Sequence, residues 1–332
     1  QWATMSSVSA MCPVGRILRC RSEGSMLNNL RFPQVLLLGN GLNKSGGATG
    51  WTKLLQQIQS NKSLALDESV MEKVPYPLLA VLATGNHIDQ AIKDSPDLFY
   101  GCDKNALEQI RQPLQALLNI GFDEILTTNY SYELERVANS KIAKDGRNCT
   151  SLMRHTDAVK QAEPKYLLHT YNEVNNQAKT SRVWHIHGEV RKPSSIVLGH
   201  YYYGNLLQRY QNELSGRKNK QFEREKDGLP PILDSWLDAF IMGDVYVLGF
   251  GFDFSEFDLW WLLNRKFRET AAHGKVIFYE PSFGNELKQS LLDTYGVQVE
   301  NMGFRTREPD HKAFYEEAIK DIQMRVKANK KE

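Results

Sequence analysis

Five segments of the chain set glycines or polar side chains at the ends of short apolar runs, where a ligand would meet them. The first is Leu38-Gly39-Asn40-Gly41-Leu42-Asn43. Glycine at a strand-to-helix turn lets backbone N–H groups approach a phosphate, and the helix N-terminus adds its dipole. Lys44 stands where a G-x-G-x-x-G pattern needs its third glycine, and no G-K-[ST] follows, so plain turn glycines are the other reading. Gly46-Gly47-Ala48-Thr49-Gly50 is either a flap over a ligand or an ordinary loop. In Thr127-Thr128-Asn129-Tyr130-Ser131, the Asn129 amide either holds a water or sugar hydroxyl, or caps a helix expected from Ser131.

Val183-Trp184-His185-Ile186-His187-Gly188 places two histidines on one face of a strand by alternation. His187, last before a glycine turn, has the chemistry of a general base near neutral pH; a structural role for both histidines is the alternative. H-x-H supplies only two metal ligands and no third is apparent, so no metal is expected. Leu248-Gly249-Phe250-Gly251-Phe252-Asp253-Phe254-Ser255-Glu256-Phe257-Asp258 has small residues for close approach to a ligand, with Ser255 or Asp253 as the cap of a following helix. Glu280, ending another apolar run, suits acceptance of hydrogen bonds from ribose hydroxyls. Strand ends of a parallel sheet share one rim, so the five segments together describe a nucleotide site.

The elements that must position them alternate. Strands are expected at Val35–Leu38, Glu124–Thr127, Val183–Ile186, Ile196–Leu198, Val245–Leu248, Val276–Tyr279 and Val297–Asn301. Helical patterns cover Trp51–Gln59, Pro77–Ala83, Ile88–Ile92, Lys104–Asn119, Ile232–Phe240, Phe257–Glu269 and His311–Lys327. Such alternation predicts a doubly wound, mostly parallel α/β sheet. The long interval before the second strand predicts a helical insertion over about 52–118, overhanging the strand ends. Residues 137–180 read as polar and irregular, with a strand at Tyr166–Thr170. Residues 214–229 read as a charged, solvated segment, and 311–332 as a helix ending in a basic, solubilising tail. Residues 1–30 read as a disordered or foreign appendage: no continuous apolar stretch makes a secretory signal, and Met5 or Met26 is the expected start.

Forty-one Lys and Arg against 39 Asp and Glu leave no excess field to attract nucleic acid. The longest apolar runs, such as Leu78–Ala83, fall far short of the roughly 20 residues that span a bilayer. Cys12, Cys20, Cys102 and Cys149 contain no C-x₂-C pair, which argues against a zinc ribbon or a disulfide framework and for a cytoplasmic protein.

In this order, GNGLN, TTNY, HG and GFGFDFSEFD resemble the SIR2-like domain of bacterial anti-phage defence proteins, over roughly residues 33–285. The resemblance implies a Rossmann-type fold with a helical insertion. It implies NAD⁺ as substrate, with Gly39, Asn40 and Gly41 along the pyrophosphate and Asn43 and Thr128 also among the binding residues. Asn129 would sit at the nicotinamide ribose and His187 would be the catalytic histidine. Gly249, Gly251 and Asp253 would lie near ribose or phosphates, Glu280 near the adenine ribose, and Trp51 in the loop over the cofactor. No cysteine follows His187, whereas sirtuin deacylases carry a four-cysteine zinc ribbon there, so zinc-dependent deacylation is disfavoured. Ser131 stands where an aspartate usually helps to read the nicotinamide carboxamide. The expected activity is hydrolysis of NAD⁺ to nicotinamide and ADP-ribose, depleting NAD⁺ in abortive infection, under control of homo-oligomerisation or a partner protein. A non-catalytic NAD⁺ or ADP-ribose sensor and an ADP-ribosyltransferase are the alternatives.

Overall fold

The computed structural model describes residues 31–59, 73–153, 166–176, 179–215, 227, 233–269, 273–281, 286–303 and 311–330. The N-terminal appendage and nearly all of the charged 214–229 segment lie outside them. The strands are β1 (Gln34–Leu38), β2 (Glu124–Thr127), β3 (Ser151–Met153), β4 (Thr170–Asn175), β5 (Thr180–His185), β6 (Asp244–Leu248), β7 (Val276–Glu280) and β8 (Val297–Asn301). They form one sheet in the order β3-β4-β5-β2-β1-β6-β7-β8. Pairings from β5 to β8 are parallel, and β3 and β4 close one edge antiparallel. The fold is α/β and Rossmann-like.

The helices, among the described residues, are α1 (Gly41–Ser45), α2 (Trp51–Ile58), α3 (Tyr76–Thr84), α4 (Ile88–Asp94), α5 (Lys104–Ile120), α6 (Glu133–Ala138), α7 (His200–Ser215), α8 (Trp236–Met242), α9 (Phe257–Phe267), α10 (Glu286–Thr294) and α11 (His311–Asn329). They cover both faces of the sheet. Val35 and Leu37 of β1 pack with residues of α2–α4 and α7–α10, while Leu36 and Leu38 pack with α1, α5, α6 and α11. A run apolar at every position, like β1, is what such two-sided burial demands. No helix among the described residues is long and apolar enough to cross a membrane.

Several elements differ from expectation, each for a visible reason. Ile196–Leu198 is buried but not a strand: Val197 N–H donates to the His187 carbonyl at 2.8 Å and its own carbonyl accepts from Tyr130 Oη, so it braces a turn. The strand expected at Tyr166–Thr170 runs instead from Thr170 to Asn175, where buried and less buried side chains alternate. α7 was not expected, because its Tyr201-Tyr202-Tyr203 start and internal Gly204 favour strand or turn over helix. α8 begins at Trp236, not Ile232, since Ser235 and Asp238 form a reciprocal capping box there. α6 starts at Glu133, two residues later than expected.

In the long interval before β2, α2–α4 pack on the Val35 and Leu37 face of the sheet and α5 on the Leu36 and Leu38 face. The basic tail is not merely solvated. Asn329 Nδ2 donates to Asp244 and Tyr246, and Lys330 Nζ donates to the carbonyls of Ile120 and Gly121 at the end of α5.

Candidate functional site

β1 lies between β2 and β6, so the chain leaves it where connections run to opposite sides, the place where open α/β sheets form a ligand crevice. Two glycine loops meet there. Gly39 N–H donates to the Leu248 carbonyl at 3.0 Å and Gly41 N–H to the Gly249 carbonyl at 2.7 Å. A Cβ on Gly41 would lie 2.7 Å from that oxygen, and Gly249 itself sits at φ +65°, so this backbone-on-backbone contact requires glycine.

Beyond the loops opens a cavity of about 550 Å³, within the range of small-molecule sites. Asn40, Gly41, Trp51, Thr128, Asn129, His187, Gly249, Gly251, Asp253 and Glu280 all line it. Two expected residues do not. Gly39 packs beneath Gly249, and Asn43 is buried in the layer below, its amide atoms without a partner among the described residues. Spacing along α1 carried no sign of which way Asn43 faces.

Asn129 does not cap α6, whose N-cap is Tyr132 without a side-chain cap. Its Nδ2 instead reaches the Gly39 carbonyl at 3.4 Å, and its N–H donates to Thr127 Oγ1, which itself donates to the Leu38 carbonyl. Ser131 donates to Glu133 at 2.6 Å. The β2 loop is thereby fastened to the β1 loop.

The two histidines do not share a face. β5 ends at His185, and the following turn, with Gly188 at φ +94°, redirects the chain. His185 uses both ring nitrogens, Nδ1 with the Asn129 carbonyl at 2.7 Å and Nε2 with Glu135 of α6 at 2.9 Å. Burial opposes its charge, but the Glu135 carboxylate prevails and lifts its pKa to about 9. It is the structural histidine, locking the Asn129 loop. His187 turns to the other layer, where Nε2 meets Asp258 Oδ2 of α9 at 2.9 Å; Nδ1 has no protein partner among the described residues.

Spacing gives no sign of a role for Asp258 or Glu256, although both stand in the segment that follows β6. Asp258 is fully buried and also accepts from Tyr210 Oη at 3.1 Å. Glu256 lines the cavity and accepts from Tyr203 Oη at 3.3 Å. Polar side-chain atoms of His187, Glu256 and Asp258 lie within 4.8 Å of one another. Burial disfavours charge on His187, yet the Asp258 carboxylate holds its pKa above the ordinary value.

Also in the lining, Glu280 Oε1 is paired with Lys288 Nζ at 2.5 Å, while its buried Oε2 has no partner among the described residues. Trp51 stacks on Tyr76 and meets Tyr130 edge-on, each with ring centroids 6.1 Å apart, forming an aromatic wall. Lys44, Lys144 and Tyr315 of α11 also line the cavity; no sequence pattern pointed to them.

A family model described as "SIR2-like domain" matches residues 123–299, just over half the chain. Asn129, His187, Glu256, Asp258 and Glu280 fall inside the matched stretch, and the Gly39–Gly41 loop and α11 fall outside it. No curated protein matches the sequence.

Proposed function

Because the chain belongs to the SIR2-like domain family, whose members are NAD-dependent enzymes, we propose that it hydrolyses NAD⁺ to nicotinamide and ADP-ribose. The observation that carries this reading is that Asn129 and His187 line one cavity, with His187 Nδ1 free of protein partners among the described residues and Nε2 held by Asp258. Breaking the nicotinamide–ribose bond builds positive charge on the ribose and needs a water aligned on its anomeric carbon. Asn129, fastened through Gly39, orients that water or the ribose. His187, through Nδ1, takes the proton of a ribose hydroxyl as the bond breaks, and Asp258 stabilises the imidazolium formed. The glycine loops with Lys44 and Lys144 suit the pyrophosphate, and Glu280 the adenine ribose.

The motif resemblance extends the proposal to NAD⁺ depletion during phage infection, with activity held in check by self-association or a partner protein. Incubation with NAD⁺ and chromatography of the products tests the chemistry. Nicotinamide and ADP-ribose are expected from the parent chain and not from folded Asn129→Ala or His187→Ala. NAD⁺ that raises the melting temperature without being consumed would instead favour a sensor. Glu280→Ala removes a charged acceptor, so NAD⁺ affinity measured by calorimetry is expected to fall about tenfold, the equivalent of ~1.4 kcal/mol. An unchanged Kd would take Glu280 out of the site.

A further inference from the structure

His187 has a single nitrogen, Nδ1, left for the substrate, because Nε2 is committed to Asp258. Hydrolysis that polarises a ribose hydroxyl and also deprotonates a water needs two acceptors. The cavity offers a second one beside the first. Glu256, at the start of α9, lines the same cavity at 8% exposure, and its side chain lies in the cluster with His187. Tyr203 donates to Oε2, while Oε1 has no protein partner among the described residues. A buried carboxylate in this position also counters the positive charge of the nicotinamide ring and of the oxocarbenium ion that follows.

We propose that Glu256 is a second catalytic residue of the cavity, facing the anomeric carbon of the nicotinamide ribose and accepting the proton of the attacking water; this rests on the hydrolase reading. In the step, the C1′–N bond breaks with its electron pair going to nicotinamide, which leaves neutral. The water oxygen bonds to C1′, and its proton passes to Glu256 and later to solvent.

The surroundings suit a base working near neutrality. Burial raises the Glu256 pKa, His187 opposes the rise, and Asp258 and Asp253 add to it, bringing it to about 7. Tyr130, Tyr203 and Tyr210 are the other titratable groups facing it. The rate is therefore expected to rise as pH increases through about 7, where Glu256 loses its proton.

Glu256→Gln keeps the size and the Tyr203 contact and removes the charge. Its kcat for NAD⁺ hydrolysis is expected to fall by about 10²–10⁴, with NAD⁺ affinity within roughly threefold of the parent, the Glu256 inflection near pH 7 gone and that of His187 kept. Glu256→Asp, which keeps a carboxylate, is expected to recover part of the rate and the inflection. Parent-like turnover by Glu256→Gln, or loss of NAD⁺ binding in both folded variants in step with kcat, would overturn the role while leaving the hydrolase reading in place. Absence of turnover by the parent at saturating NAD⁺ would overturn the hydrolase reading itself, and this role with it.

Discussion

Asp258→Asn is expected to lower kcat for NAD⁺ hydrolysis by about 10²–10⁴ while leaving NAD⁺ affinity near that of the parent. Asp258 does not line the cavity; it stands behind His187, fully buried, and accepts from His187 Nε2 and Tyr210 Oη. The amide has nearly the same shape, so packing of α9 should survive. Its charge does not survive, and the imidazolium that forms when His187 takes a proton loses its counter-ion. A thousandfold loss corresponds to about 4 kcal/mol of transition-state stabilisation, a reasonable size for an uncompensated buried charge.

A separate readout identifies Asp258 as a positioning residue. The Asp258 carboxylate holds the His187 pKa up against burial, so the imidazole resonance of His187 should titrate at a lower pH in Asp258→Asn. A drop in rate with no movement of that titration would reduce Asp258 to a packing residue.

Gly39→Ala is expected to abolish NAD⁺ binding and lower the melting temperature by several degrees. A Cβ there would overlap the Gly249 carbonyl and stand 2.7 Å from Phe250 Cα. Both obstacles are backbone, so no rotamer change relieves them, and the two loops must separate. Overpacking of this kind costs about 1–3 kcal/mol, and each kcal/mol is worth roughly 2–4 °C in a domain of this general size. Gly251→Ala is the internal control: nothing lies within 4 Å of its Cβ direction, so its melting temperature should match the parent. Equal melting of Gly39→Ala and the parent would show that the loops are not locked as described.

The sheet's centre was legible because β1, β6 and β7 are apolar at nearly every position, and full burial on both faces leaves little other choice. Its antiparallel edge was not. The polar TYNEVN of β4 and the three-residue β3 carry little local signal, and they become strands by pairing with each other and with β5. α7 was hidden by residues that prefer strands; buried Tyr203, Leu206 and Tyr210 make it a helix by packing against the core.

The chain's own residues determined which strand ends carry chemistry, because glycine, asparagine, histidine and glutamate at strand-to-loop junctions state their capabilities locally. Parallel topology then sends those ends to a common rim. Tertiary structure alone decided how the groups divide the work. His185 and His187 are two residues apart and chemically identical, yet the turn at Gly188 sends one to Glu135 and the other to Asp258, 71 residues downstream. Asn40 and Asn43 stand three residues apart, at the N-cap and within the first turn of α1, and only Asn40 reaches the cavity. Pairing across such distances depends on helix packing against the sheet, which sequence spacing does not encode. The protons of the site belong to those pairings.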